Sequence, residues 1–203
     1  MSSSPPRVKP PFLTIILIVL SVVASLPSML GSSGVVLVPL LIGTPGSPLF
    51  ADILGGEAWR LVTPIFVHFG ILHILFNMMW LWDLGRSLEW LKGPLFLGLF
   101  VAVSGIASNV AQYVITQSPN FGGMSGVVYA LLGYVWMQGR YNRAFGIALH
   151  QSTVIMMIAW FVLCWTGILG PIANWAHTAG AVIGIVWGLL DRGAARRELA
   201  GQA

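Results

Sequence analysis

Apolar stretches broken by short polar or glycine- and proline-containing connections run through the chain from Pro11 to Leu190. Stretches of about 20 such residues match the thickness of a bilayer's hydrocarbon core. The pattern predicts six helices: Pro11 to Leu30, Pro64 to Leu84, Pro94 to Val114, Gly123 to Met137, Phe145 to Trp165 and Trp175 to Leu190. Prolines open several of them and glycines punctuate the breaks, as helix starts and stops require. The expected fold is all-α, a polytopic membrane protein built as a bundle of six transmembrane helices. One connection is long. Residues 31–63 are apolar, interrupted by Gly, Pro and Ser, and carry Asp52, Glu57, Trp59 and Arg60. That mixture places the loop partly in the membrane interface on the outer side.

Composition agrees with the pattern. Of 203 residues 57% are hydrophobic and 8% charged, and the mean hydropathy is +0.85. Soluble domains carry about 25% charged residues, and the apolar spans leave no length for a separate soluble domain. One domain, residues 1–203, is therefore expected, with a short tail at 1–10 and another at 191–203. With about ten residues before the first span, no soluble amino-terminal domain is expected. The run from Phe12 to Leu30 exceeds a signal-peptide core, so it is read as a retained span. A single cysteine, Cys164, excludes an internal disulfide framework. No Cys/His spacing fits a metal site, so no metal or other cofactor is expected.

Charge then orients the bundle. Of the ten basic residues, Arg7, Lys9, Arg86, Lys92, Arg140, Arg143, Arg192, Arg196 and Arg197 fall on one side of the six spans, and only Arg60 on the other. The positive-inside rule makes the nine-residue side cytoplasmic, with both termini there, in a multi-pass cell (inner) membrane protein. The net charge of +4 is thus explained by topology and not by nucleic acid, which is not an expected partner. The bilayer is.

Candidate chemistry emerges when polar residues are placed by depth. Phe121-Gly122-Gly123-Met124-Ser125-Gly126-Val127-Val128 sets a lone serine among glycines at the start of the fourth helix. Ser125 precedes Arg140 by 15 residues, His177 precedes Asp191 by 14 and His73 precedes Arg86 by 13. At 1.5 Å per residue these are all about 20 Å above the cytoplasmic boundary. Asn77 lies one turn below His73 on the same face. Each residue alone reads as helix packing, but a shared depth reads as one polar pocket opening outward. His177 is the base that would make Ser125 nucleophilic. Backbone N–H groups at the helix start, with His73 and Asn77, are donors for an oxyanion. No carboxylate lies in a span near His177, so a Ser/His dyad is expected in place of a triad. Tyr129, one turn below Ser125, either stacks on the imidazole or merely packs. His177, Gly180 and Gly184 form one stripe, and Gly126, Ala130 and Gly133 form another that matches it. Packing the stripes together brings His177 to Ser125.

These residues carry a resemblance. Glu57-Ala-Trp59-Arg60, His68-Phe-Gly-Ile-Leu-His73-Ile-Leu-Phe-Asn77, Gly123-Met-Ser125-Gly126-Val-Val-Tyr129 and Ala176-His177-Thr-Ala-Gly180-Ala-Val-Ile-Gly184 occur in this order. Together they make the chain resemble the rhomboid intramembrane serine proteases of the compact bacterial type. The resemblance implies a six-helix rhomboid-like bundle and cleavage of transmembrane-helix protein substrates through an acyl-enzyme. It implies that Ser125 is the nucleophile and His177 the base. His73, Asn77 and the N–H groups of Met124 and Ser125 would line the oxyanion hole. Tyr129 would stack on His177, Trp59 and Arg60 would brace the outer loop, and His68 would support that loop without taking part in catalysis. The segment Gln117-Ser-Pro-Asn-Phe-Gly-Gly departs from the family pattern and bears on subsite preference.

Two other readings compete. An inactive rhomboid-like binder of client helices would be marked by loss of the serine or histidine, and both are present. A transporter or proton relay using His73 and His177 would show inverted repeats or paired broken helices, and the chain shows neither. Cys164 has no matched base and reads as a small apolar residue, and His150 as an interfacial one.

Overall fold

The computed structural model describes residues 10–31 and 34–200. Among the described residues the secondary structure is entirely helical. Six long helices are labelled here in chain order. Helix α1 is Phe12–Met29, and α2 is one continuous rod made of α-helical Ile71–Trp80, π-helical Leu81–Gly85 and α-helical Arg86–Lys92. Then follow α3, Pro94–Thr116; α4, Ser125–Tyr141; α5, Gln151–Trp165; and α6, Asn174–Ala200. The long outer connection holds short turns at Gly34–Leu40, Ala51–Leu54, Ala58–Leu61 and Thr63–Phe66.

Helix α4 is the centre. Every residue from Gly126 to Val135 is buried, as expected of a helix that is apolar on all sides. It packs along its length on α6, with α3 behind both. The peripheral helices turn apolar side chains outward instead: Phe12, Val19 and Val23 on α1, Leu95 and Leu99 on α3, and Ile155 and Val162 on α5 are all exposed. Two helices, Phe12–Met29 and Pro94–Thr116, are long and apolar enough to cross a membrane, and Gln151–Trp165 is a shorter apolar helix.

Several boundaries differ from the sequence expectation, each for a local reason. The second helix starts at Ile71 and not Pro64, because Thr63–Phe66 forms a tight turn and Gly70 then adopts φ +111°. It also runs on past Leu84 to Lys92, so Arg86 and Lys92 sit on the helix itself and only Gly93 separates it from α3. Arg86 lies between the rings of Trp82 and Trp90, which lets the helix carry a charge where a break was expected. The fifth helix starts at Gln151 and not Phe145. A turn at Arg143–Phe145 and Gly146 at φ +78° lead into an irregular stretch that crosses α4 at Gly139, where an added Cβ would meet Ala148 Cα at 2.8 Å. The sixth helix does not stop at Leu190 but continues to Ala200, so most of the expected tail at 191–203 is helical. Residues 201–203, and 1–9 of the other expected tail, lie outside the described residues.

Two cross-helix contacts lock this arrangement. The buried Glu89 carboxylate of α2 accepts the Leu13 N–H at 2.9 Å, the Thr14 N–H at 2.8 Å and the Thr14 hydroxyl at 2.7 Å. The first turn of α1 has free N–H groups and no cap of its own, and a carboxylate is the favoured partner there. One turn on, at the carboxy-terminal end of α2, Lys92 pairs with Asp191 of α6 at 2.9 Å, and Tyr134 of α4 donates to the same carboxylate.

Candidate active site

Close approach of α4 and α6 creates the site. A Cβ on Gly180 would overlap the Gly126 carbonyl, and one on Gly184 the Ala130 carbonyl. On the other side, a Cβ on Gly133 would meet Ile185 N at 2.9 Å and Ala181 O at 3.0 Å. The stripes of small residues on the two helices therefore face each other. Gly188 extends them by another turn, since a Cβ there would sit 2.9 Å from Tyr134 O. With the backbones this close, the Ser125 hydroxyl at the head of α4 lies 2.8 Å from Nε2 of His177 in the first turn of α6. His177 is buried and Ser125 half-buried.

The imidazole is held in an unusual way. Among the described residues no protein group pairs with its buried Nδ1. The ring is instead flanked by Tyr129, with centroids 4.9 Å apart and planes tilted by 39°. Tyr129 is fixed in turn by Phe161 against its ring and by a long 3.4 Å hydrogen bond from its hydroxyl to Met157 O.

The strand of chain leading into Ser125 is pinned from below. Gly123 adopts φ +117° and donates its N–H to Pro64 O at 3.0 Å. A Cβ on Gly123 would meet the His73 ring at 2.7 Å, so glycine is needed here both for its conformation and for the space. His73 thereby sits against the approach to the serine, its ring 4.9 Å from that of His68. Asn77 is buried one turn further on, and its amide donates to His73 O at 2.9 Å.

Met124 differs from expectation. Its N–H, anticipated as an oxyanion donor, is donated to His68 Nε2 at 3.2 Å. The turn at Gly123 rotates the next amide toward the interior, where His68 is fully buried. Because Nε2 accepts, Nδ1 carries the hydrogen, and it faces Phe66 O at 3.1 Å and Ser25 Oγ at 3.2 Å. Ser25 also accepts the His68 N–H at 3.0 Å, and Ser28 donates to His68 O at 2.6 Å. Helix α1 thus reaches the serine loop through His68.

The outer loop is tied together by Arg60, which is only 4% exposed. Its guanidinium pairs with Glu57 and donates to Val38 O and, at 3.1 Å, to Leu41 O, while Trp59 Nε1 donates to Pro39 O at 3.2 Å. Both residues thus hold the turn at Gly34–Leu40 through its carbonyls. His150 is exposed and caps α5. Sequence reasoning missed Gln112 and Asn109 on α3. Gln112 accepts N–H groups from the first turn of α6, and Asn109 donates to Leu61 O at 2.9 Å. Buried amides at i and i+3 on an apolar span were the available signal. Among the described residues no three His, Cys, Asp or Glu side chains gather into a metal-binding group.

Comparison with known proteins agrees with this arrangement. The family model described as the Rhomboid domain matches residues 55–194, which hold every site residue above except those of α1 and the loop before Gly55. The chain is 39% identical over 150 residues to the Rhomboid protease GlpG of Salmonella paratyphi A and 40% identical to that of Salmonella choleraesuis. Each match covers 73% of this chain and 54% of the relative, so the chain spans about half the length of the curated relatives it matches. Helical architecture, motif order and overall similarity converge, and the chain belongs to the rhomboid family.

Proposed function

We propose that this protein is an intramembrane serine endopeptidase that cleaves transmembrane segments of other membrane proteins with a Ser125/His177 dyad. The observation that carries the reading is the 2.8 Å contact between Ser125 Oγ and His177 Nε2 inside a bundle of apolar helices. In the proposed mechanism His177 takes the hydroxyl proton as Ser125 attacks the scissile carbonyl carbon. The imidazolium then protonates the leaving amine as the carbon–nitrogen bond breaks, and water hydrolyses the ester by the same steps in reverse. The Ser125 N–H at the head of α4, His73 and Asn77 are the proposed oxyanion donors. Met124 can join them only by giving up His68. Tyr129 presents its ring to an imidazole that becomes cationic during each step, an arrangement that favours the charge.

The six long helices are proposed to cross the bilayer as a single rhomboid domain, with both termini cytoplasmic and the site opening to the outer side of a cell (inner) membrane. The distribution of basic residues supports this orientation, as does the ion pair of Lys92 with Asp191 at the opposite end of the bundle from Ser125. Substrates would be helices that unwind locally to expose an amide, with the bilayer as the second partner.

The test uses purified protein in proteoliposomes with a fluorogenic transmembrane substrate. Ser125→Ala and His177→Ala are each expected to lower kcat by roughly 10⁴-fold, the upper range for loss of a positioned base or nucleophile, while the helical signal persists. Cleavage at the wild-type rate by either variant refutes the dyad. An intact chain that binds client helices but neither cleaves nor reacts with a fluorophosphonate would be an inactive rhomboid-like binder.

A further inference from the structure

His177 stands at the start of α6, where helices fray, and among the described residues no protein group pairs with its Nδ1 to steady the ring. Its place relative to Ser125 therefore depends on the backbone of that first turn. The turn has no cap of its own: Ala173 precedes the helix and offers no side-chain acceptor, and alanine is a poor N-cap. Four N–H groups at a helix start need outside partners. Two of them, from Trp175 and Ala176, converge on Oε1 of Gln112 in α3 at 3.0 and 3.2 Å. These are the residues immediately before His177. Gln112 is buried, so water cannot easily replace it. One turn earlier on the same face of α3, Ser108 lies against Gly126, where an added Cβ would meet its side chain at 2.7 Å. One face of α3 thus touches the segment after the serine and the segment before the histidine.

We propose that Gln112 is a positioning residue: it caps α6 from a neighbouring helix and so holds His177 Nε2 within hydrogen-bonding distance of Ser125 Oγ. The proposal rests on the protease reading for its catalytic consequence, while the cap itself is measured independently. Without the acceptor, the first turn of α6 loosens and the imidazole samples positions out of reach of the hydroxyl. Small displacements of a catalytic base are expensive in rate, so about a tenfold loss or more is expected. Substrate binding away from the dyad is untouched, and KM should stay nearly constant.

Gln112→Met removes the acceptor at similar volume. The expected result, per folded molecule, is a tenfold or greater fall in kcat and in fluorophosphonate labelling with little change in KM, together with faster amide hydrogen exchange at Trp175 and Ala176. Gln112→Met/Ala173→Ser restores a cap from the helix's own N-cap position and should recover most of both signals, which a mere packing defect would not. If Gln112→Met does not fold, Gln112→Glu, which keeps the acceptor oxygen, serves in its place and should label within about threefold of wild type. Wild-type labelling by Gln112→Met, absence of recovery in the double variant, or tenfold slower labelling by Gln112→Glu overturns the proposal. A wild-type protein inert to probe and substrate refutes the protease reading instead, and the exchange experiment still reads the cap.

Discussion

Replacing Gly180 with alanine tests whether the dyad is assembled by backbone contact between α4 and α6. The new methyl would overlap the Gly126 carbonyl oxygen and lie 2.8 Å from Gly126 C and 3.1 Å from Gly126 Cα. Ordinary carbon contacts need about 3.5 Å or more, so the helices must part by on the order of 1 Å. Gly126 follows Ser125 directly and Gly180 is one turn beyond His177, so the separation falls on the dyad itself. A 2.8 Å contact lengthened by that amount is no longer a hydrogen bond, and a misplacement of about 1 Å costs roughly 10²-fold in rate. Stability should respond far less. Overpacking costs about 1–3 kcal/mol, against which alanine's helix preference over glycine returns about 1 kcal/mol. The net loss is on the order of 1 kcal/mol. The assay is kcat on a transmembrane substrate in proteoliposomes alongside thermal unfolding. Gly98→Ala is the control, since its Cβ meets only Leu13 Cδ2 at an ordinary 3.5 Å, and it should leave kcat unchanged. Wild-type kcat in Gly180→Ala would show that the helices accommodate the methyl by sliding, and the packing account of the dyad would fail.

Two further substitutions separate stability from catalysis. Glu89→Ala removes three hydrogen bonds at the start of α1; with charge-assisted bonds worth about 1.5–3 kcal/mol each, unfolding stability should fall by about 3 kcal/mol or more while kcat per folded molecule holds, and an unchanged melting temperature would contradict the cap. Tyr129→Phe keeps the ring and loses only the 3.4 Å bond to Met157, so its rate should stay within about twofold of wild type, whereas Tyr129→Leu loses the stacked ring and should slow turnover roughly fivefold, the equivalent of about 1 kcal/mol; equal rates for the two variants would remove the ring from the mechanism.

What the sequence made legible was whatever repeats with the helix. Gly126, Ala130 and Gly133 on one span, and His177, Gly180 and Gly184 on another, recur at three- and four-residue spacing, so their faces can be read without coordinates. Counting residues to the charges at the other ends of the helices added their height. Helix ends were less legible, because in an apolar chain both the helix and the turn beside it are apolar. Val62 to Phe69 looks like the start of a span, yet Pro64 and Gly70 fold it into a tight turn and an extended link. The caps were not legible at all. Glu89 lies 75 residues from Thr14, and Gln112 lies 64 from Ala176. No local pattern marks such pairs, since the acceptor answers an unfilled helix start on a different element. The contact of Met124 was hidden for the same reason: its N–H was assigned by its place at the head of a helix, and here His68, 56 residues away, accepts it.

Among the described residues no acid pairs with His177, and this links these observations. A carboxylate at Nδ1 would fix the tautomer and orientation of the imidazole at once, but in a buried, apolar setting it would bring a desolvation penalty of several kcal/mol. Here no protein group among the described residues takes that place at Nδ1, and the ring is constrained from its faces and its backbone. Tyr129 limits rotation, the Gly180–Gly126 contact sets the distance between helices, and Gln112 fixes the turn that carries the histidine. None of these is charged, so the arrangement suits a low-dielectric interior. It also makes the dyad sensitive to packing: a methyl group added between α4 and α6 acts directly on the Ser125–His177 distance.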